Sequence, residues 1–294
     1  MPDSPHHVNP YELIIQTCEN NTVKIQTSYE EYRIARNAQQ KAKFLSPAFE
    51  GASVDRILQR IVNPTLEPGF VDTRNAMVFI ARPPEIIKSF ITECQQMLSE
   101  VVPNLWIVPQ TSLHTTVLEI AHSRTPEEIA SLVPQIRGVA PSILNHTCTH
   151  RTRLIKPLLC FDASAIALSF LPTLASTPGY EAYTYHHLRR DLFALARGSG
   201  TAIESRYAVP SAHMTLGRFI CAEDLYTGGR VDLEKARQLV ARIDGINAWL
   251  EREYWPGGIE AIEWVVGSEM GLEWRIGPVW YGSGGETLMV GETF

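Results

Sequence analysis

The sequence predicts an α+β fold, antiparallel strands forming sheets with helices laid to one side. Three observations carry this. A phrase of strand character occurs twice, as Val108-Pro109-Gln110-Thr111-Ser112-Leu113-His114-Thr115-Thr116-Val117 and as Val209-Pro210-Ser211-Ala212-His213-Met214-Thr215-Leu216. Stretches of helical spacing flank each copy. Two pairs of apolar runs, each broken by turn-forming residues, read as hairpins.

Taken in order, residues 1–27 read as an irregular or extended arm, 29–45 as a polar helix and 54–62 as a shorter one. Pro64, Pro68 and Gly69 mark 63–72 as a linker. A strand is expected over 77–81. After Pro83-Pro84, residues Ile86, Ile87, Phe90, Ile91, Cys94, Met97 and Leu98 recur at helical spacing, and Pro84 suits a first turn. The first His-x-Thr strand follows. Thr125, with Glu128 three residues on, opens a helix over 126–136. Runs at 154–161 and 165–171, separated by Asp162-Ala163-Ser164, form the first hairpin. Tyr185, Leu188, Leu192, Phe193 and Leu195 stripe a helix over 183–195, ahead of the second His-x-Thr strand. Leu233, Ala236, Leu239, Val240, Ile243 and Ile246 stripe another over 232–250. A second hairpin closes the chain, 259–266 and 272–281 about a turn near Gly267 to Gly271. Each half therefore repeats one order: helix, loop, Val-Pro, His-x-Thr strand, helix. This is a duplication of architecture with little residue identity left.

On a strand, residues i and i+2 share a face. His114 lies with Thr116, and His213 with Thr215. Brought together, the strands would offer two imidazoles and two hydroxyls to one small space, a set able to move protons and hold a phosphate. The bland alternative is two unrelated strands, each with one core histidine. A third copy, His150-Arg151-Thr152, lacks apolar flanks and the Val-Pro lead-in, and reads as a surface coincidence. His6-His7 and His186-His187 read as exposed pairs. His122 shares strand parity with His114 but lies about 26 Å along the strand. The 282–285 glycine run lacks the Gly-Lys-Ser/Thr ending of a phosphate loop and reads as a flexible turn. Arg218, three residues after Thr215, points to the opposite face of a regular strand and reaches the histidines only if Gly217 bends it. Tyr207, Trp274, Trp280 and Tyr281 are candidates to stack a base, with core packing as the alternative.

With these residues in hand, the chain resembles the 2H phosphoesterase superfamily, defined by two His-x-Thr/Ser motifs, and within it the RNA 2′,3′-cyclic phosphodiesterase (2′,5′-RNA ligase-like) branch. The segment from Asn75 to Pro84 is similar to that branch's first strand and turn. Ser112-Leu113-His114-Thr115-Thr116-Val117 and Ala212-His213-Met214-Thr215-Leu216-Gly217-Arg218 are similar to its signatures. The resemblance spans about 73–281. It implies two pseudo-symmetric lobes of antiparallel sheet, helices outside and an active-site groove between them. Residues 1–70 then form an N-terminal helical extension, and 71–294 the bilobal domain. It also implies a cyclic phosphodiesterase with His114, Thr116, His213 and Thr215 as catalytic residues, and a reverse RNA ligase reaction by the same chemistry. His213 is the preferred base and His114 the acid. Arg218, Tyr207, Trp274 and Tyr281 are the expected substrate contacts. Two alternatives stand beside this: a non-catalytic nucleotide-binding module, and a phosphoesterase for 2′,5′-linked or ADP-ribose cyclic phosphate substrates.

Composition narrows the class further. Of 294 residues, 26 are Lys or Arg and 32 are Asp or Glu, a net charge of −6. Gripping a long nucleic acid takes a basic surface, because phosphate neutralisation dominates such binding. The expected ligand is therefore a small nucleotide or a short RNA end. No apolar run approaches a membrane span, and the start lacks the order of a signal peptide. The five cysteines have no metal-ligand spacing. We expect no metal, no cofactor and a monomer in a reducing compartment, the cytoplasm or the nucleus.

Overall fold

Two antiparallel sheets form the frame of the protein. A computed structural model describes residues 9–173, 183–205 and 208–294. The first sheet runs in the order β11 (Glu286–Val290), β10 (Leu272–Gly277), β1 (Asn75–Ala81), β3 (Thr115–Arg124). The second runs β2 (Leu105–Ile107), β6 (Ala212–Phe219), β5 (Ala165–Thr173), β4 (Arg153–Phe161), β9 (Trp264–Val265). A small ribbon, β7 (Tyr226–Thr227) and β8 (Arg230–Val231), stands apart. The helices are α1 (Glu12–Thr17), α2 (Thr22–Leu45), α3 (Arg56–Val62), α4 (Glu85–Ser99), α5 (Pro126–Arg137), α6 (Ala140–Leu144), α7 (His146–Thr149), α8 (Tyr185–Arg197) and α9 (Leu233–Tyr254).

The duplication is visible as a repeated connection. β1 and β3 are antiparallel neighbours joined through α4, which packs on β6 of the second sheet and on α9. β5 and β6 are antiparallel neighbours joined through α8, which packs on β3 of the first sheet. Each half thus lends its helix to the other half's sheet. The helices form where the periodicity predicts. Ile87, Phe90, Ile91, Cys94 and Leu98 bury one stripe of α4. The predicted capping box of α5 is present, with Thr125 accepting from the Glu128 backbone and Glu128 from that of Thr125. Asp232 caps α9.

β1 is buried on both faces. Met77, Phe79 and Ala81 join the main core, while Ala76, Val78 and Ile80 form a separate cluster with Val279 on the other face. That second face is the floor of a groove between the sheets.

Three expectations fail. Of the stretch 1–27 expected as an extended arm, the described part, 9–27, is largely helical: it holds α1 and the first turns of α2, because Asn21 caps the Lys24 backbone and Ile25, Tyr29 and Arg33 continue one buried stripe. Tyr11, Ile15, Ile25, Tyr29 and Phe44 all enter the main core. α2 lies on β4 and β5, with Gln26, Arg33 and Asn37 donating to the carbonyls of Pro172, Lys156 and Leu159. The closing hairpin is also different. β9 pairs with β4, β10 pairs with β1, and the true hairpin partner of β10 is β11. Gly267 and Gly271, at φ +83 and +64, carry the chain from one sheet to the other. Finally, His186 and His187 are buried rather than exposed. His186 donates from Nε2 to the Tyr11 carbonyl and meets the Tyr29 hydroxyl at Nδ1. His187 accepts from the Thr184 backbone and donates to Asn20 Oδ1. His6-His7 lies outside the described residues. No helix among the described residues is long and apolar enough to cross a membrane.

Candidate functional site

The two His-x-Thr motifs meet because the chain leaves β2 alongside β6. Trp106 is paired with Arg218, and the Val108 N–H then donates to the Leu216 carbonyl. Pro109 ends that pairing, one 3-10 turn over Gln110–Ser112 reverses direction, and β3 begins at Thr115. The lead-in of the first motif is thereby bonded to the strand of the second. Gln95 on α4 joins them, its Nε2 donating to both the Val108 and Leu216 carbonyls at 2.9 and 3.1 Å. Nothing in its position within a helical stripe marks it as a site residue.

His114, Thr116, His213, Thr215, Arg218 and Tyr281 line one cavity between the sheets. The His114 ring is oriented from behind: Nδ1–H donates to the Ser112 carbonyl at 2.9 Å. Arg82 holds that turn, donating to the carbonyls of Thr111 and Leu113 and pairing with Glu273 at 3.0 Å. A Cβ on Gly282 would lie 1.9 Å from the Ser112 oxygen and 2.8 Å from His114 Nδ1, so the glycine turn is the surface against which this ring is seated. The His213 ring meets Ser211 Oγ through Nδ1 at 3.0 Å. Arg189 secures that lead-in from α8, donating to the Val209 and Ser211 carbonyls and to the Tyr11 hydroxyl.

Both imidazoles have their pKa pushed down to about 4. Burial is the main cause for each. At His114 the Arg82 and Arg275 charges add to it, and the Ser112 carbonyl opposes. At His213 the charges of Arg189, a protonated His114, Arg36 and Arg218 act in the same direction as burial. The two rings therefore sense one another, and both are neutral at pH 7 while no anion is bound.

Arg218 reaches the groove by the route that Gly217 allows. Thr215 pairs with Ala167 but Gly217 with Ile166, so one residue bulges and Arg218 returns to the face of Thr215. A Cβ there would meet Leu105 Cδ2 at 2.7 Å and the Trp106 carbonyl oxygen at 3.1 Å, so any larger residue would have to push the Leu105 side chain aside. A similar slip in β3 brings in a residue that strand parity assigns to the other face. Thr116 pairs with Ile80 but Glu119 with Val78, so Glu119 also lines the cavity, 7% exposed. Its one sequence signal is a carboxylate inside an apolar strand.

The aromatic candidates separate. Tyr281 lines the cavity, donates to Asp55 at 2.9 Å and lies 5.6 Å from the Arg218 guanidinium. Trp280 also lines it, with Arg74 5.0 Å from its ring. Trp274 does not. It pairs with Phe79 on the core face of β1, stacks on that ring at 6.1 Å and is fully buried. Its neighbour Arg275 takes the groove side and donates to the Gly282 and Gly284 carbonyls. Tyr207 lies outside the described residues. His150 stacks on His146 at 4.1 Å, away from the cavity, and His122 pairs with Glu204 at the far end of β3. Among the described residues no cluster of three or more His, Cys, Asp or Glu side chains is placed to hold a metal ion.

The arrangement supplies two oriented imidazoles, two hydroxyls and guanidinium groups around a space that suits an anion. No family model and no curated protein matches the chain. Among the solved structures similar to it are two from bacteria. A conserved protein of unknown function from Agrobacterium tumefaciens, ATU0111, is 14% identical over 85% of this chain and 98% of its own, with a TM-score of 0.51. The likeness shows a shared fold. TT0787 of Thermus thermophilus is 15% identical over 68% of this chain and 86% of its own, with a TM-score of 0.36.

Proposed function

We propose that the protein is a phosphodiesterase of the 2H type that opens a cyclic phosphate, a nucleoside 2′,3′-cyclic phosphate or an RNA end of that kind, with two histidines as acid and base. The carrying observation is that His114 with Thr116 and His213 with Thr215, from strands of different sheets, line one cavity. In this reaction water attacks phosphorus, the new P–O bond forms and the bond to one ribose oxygen breaks. One imidazole takes the water's proton and the other gives a proton to the departing oxygen. The Ser112 carbonyl on Nδ1 favours a charged ring, which suits His114 to the acid role and leaves His213 as base. The Thr116 and Thr215 hydroxyls donate to the non-bridging oxygens. No metal is needed for any of these steps. Run backwards with a ribose hydroxyl in place of water, the same chemistry joins ends.

Two rings neutral at pH 7 must gain one proton before they can divide the labour. The substrate supplies the cause, since a bound phosphate's negative charge raises the proton affinity of both.

The test is a turnover screen of the purified protein in EDTA. The panel is nucleoside 2′,3′-cyclic phosphates, 3′,5′-cyclic nucleotides, ADP-ribose 1″,2″-cyclic phosphate and 2′,5′-oligoadenylate. Hydrolysis of the 2′,3′-cyclic phosphates is the expected result. Tight binding without turnover of any would make the protein a nucleotide-binding module instead. Activity lost in EDTA and restored by zinc or magnesium would reject the two-histidine mechanism.

A further inference from the structure

A second cavity, of about 350 Å³, adjoins the first and shares His213, Thr215 and Arg218 with it. Its floor follows from cross-strand pairing. His213, Thr215 and Arg218 of β6 stand opposite Ser169, Ala167 and Ala165 of β5, and these small side chains leave the space above them open. Its far wall is α2, through Tyr32, Arg33 and Arg36. This helix belongs to the N-terminal extension and lies outside the span of the family resemblance.

The charges of this cavity set it apart. Three arginines line it, Arg33, Arg36 and Arg218, against one carboxylate, Asp162, in a chain of net charge −6. Asp162 is already engaged. One oxygen accepts from Arg36 at 2.8 Å, and the other from the Ser164 and Ala165 backbone and the Ser164 hydroxyl. Arg33 is 3% exposed. It donates to the Lys156 carbonyl, yet its buried Nε has no hydrogen-bond partner. Burial lowers its pKa only to about 10, so it stays charged at neutral pH. No carboxylate lies within ion-pair distance of it among the described residues. The Trp255 ring 5.4 Å away and the more distant Glu30 and Glu251 charges offset only part of the cost of burying this cation, which an anion in the cavity would lower further.

We propose that this cavity binds a second phosphate of the substrate, one nucleotide away from the phosphate held between the histidines, with Arg33 and Arg36 as its cationic ligands. The inference rests on the phosphodiesterase reading and extends it: the preferred substrate carries at least two phosphates, as an RNA end does. A volume of this size, at the lower end for small-ligand pockets, suits one nucleotide unit and excludes a duplex.

The test is calorimetric binding in EDTA of adenosine 3′-monophosphate against adenosine 3′,5′-bisphosphate. The wild-type protein should bind the bisphosphate at least about tenfold tighter, the worth of one charge-assisted contact. Its salt slope should be steeper by about 0.7, one further phosphate neutralised. In Arg36→Gln and in Arg33→Met the affinity ratio should fall towards one. Arg36 is exposed, so Arg36→Gln carries the test if the buried Arg33→Met does not fold. A wild-type ratio near one, or a ratio unchanged in Arg36→Gln, overturns the second site and leaves the proposed reaction standing. Failure to bind either nucleotide overturns both. Comparing turnover of a dinucleotide ending in a cyclic phosphate with that of a nucleoside 2′,3′-cyclic phosphate that also carries a 5′-phosphate identifies the source. A preference for the dinucleotide marks an RNA end, and equal rates mark a small bisphosphorylated nucleotide.

Discussion

At the scale of single residues, the proposed chemistry rests on the proton affinities of His114 and His213. Both rings titrate near 4 when empty. An anion beside them stabilises the imidazolium, so its binding must draw a proton from solution wherever the free ring is neutral and the complexed ring is not. Sulfate, which does not titrate near neutrality, is the clean probe. Its binding heat at pH 5 to 6, measured in buffers of different ionisation enthalpy, should report uptake of up to about one proton. The uptake should vanish in His114→Ala/His213→Ala. Absence of uptake in the wild type, or proton release, would contradict this account. For the proposed reaction, the same shift orders the rate profiles. kcat/KM reports the free protein and kcat the complex, so both should be bell-shaped, with the kcat/KM maximum on the acid side of the kcat maximum. Coincident maxima would mean that substrate does not recharge the rings.

Among elements, the glycine turn at 282–285 shows how a loop of unremarkable sequence becomes part of a site. Gly282 has φ +75 and allows the His114 ring and the Ser112 carbonyl their close approach. Gly257 has φ +90 with nothing within 4 Å of its would-be Cβ. Alanine at either position carries backbone strain of about 1–3 kcal/mol. Gly282→Ala should in addition displace the ring and lower kcat, whereas Gly257→Ala should lose stability alone. Thermal midpoints and kcat on folded protein separate the two. Wild-type kcat in Gly282→Ala would show that the turn does not seat His114. Strand parity read the four His-x-Thr positions correctly because alternation over two residues is local. It does not reach Glu119, and leaves Arg218 conditional, because both follow β-bulges, and the packing of Leu105 over Gly217 at the second is a contact that no pattern in β6 reveals. Trp274 was misassigned for a related reason: which face of β10 is buried depends on its pairing with β1, far away in sequence. The early helices were missed because Asn20-Asn21 interrupts the stripe that runs from Tyr11 to Tyr29.

For the molecule as a whole, four histidines are held neutral, His186 and His187 buried in the core and His114 and His213 half-buried in the groove. His114, His187 and His213 titrate near 4, and His186 near 3, where burial, helped by Arg189, is the cause. The unfolded chain takes up these protons near the ordinary histidine pKa of about 6.5. Between there and about pH 4 the unfolded state binds more protons, so stability rises with pH across that window and levels off above it. The urea midpoint should fall steeply from pH 7 to pH 4.5, and equal midpoints would contradict the burial of these rings in solution. The N-terminal helices share in this, because His186 sits between Tyr11 and Tyr29. The whole frame, two sheets exchanging helices, serves to press two motifs from distant parts of the chain against one space. The measurement that tests this most directly is hydrolysis of a nucleoside 2′,3′-cyclic phosphate in EDTA by wild type, His114→Ala, His213→Ala and the double variant. The account predicts that each single change costs at least about a hundredfold. The double variant should be little slower than the worse single one, because the pair acts as a unit. Near-wild-type rates in either single variant, or losses that multiply in the double, would contradict it.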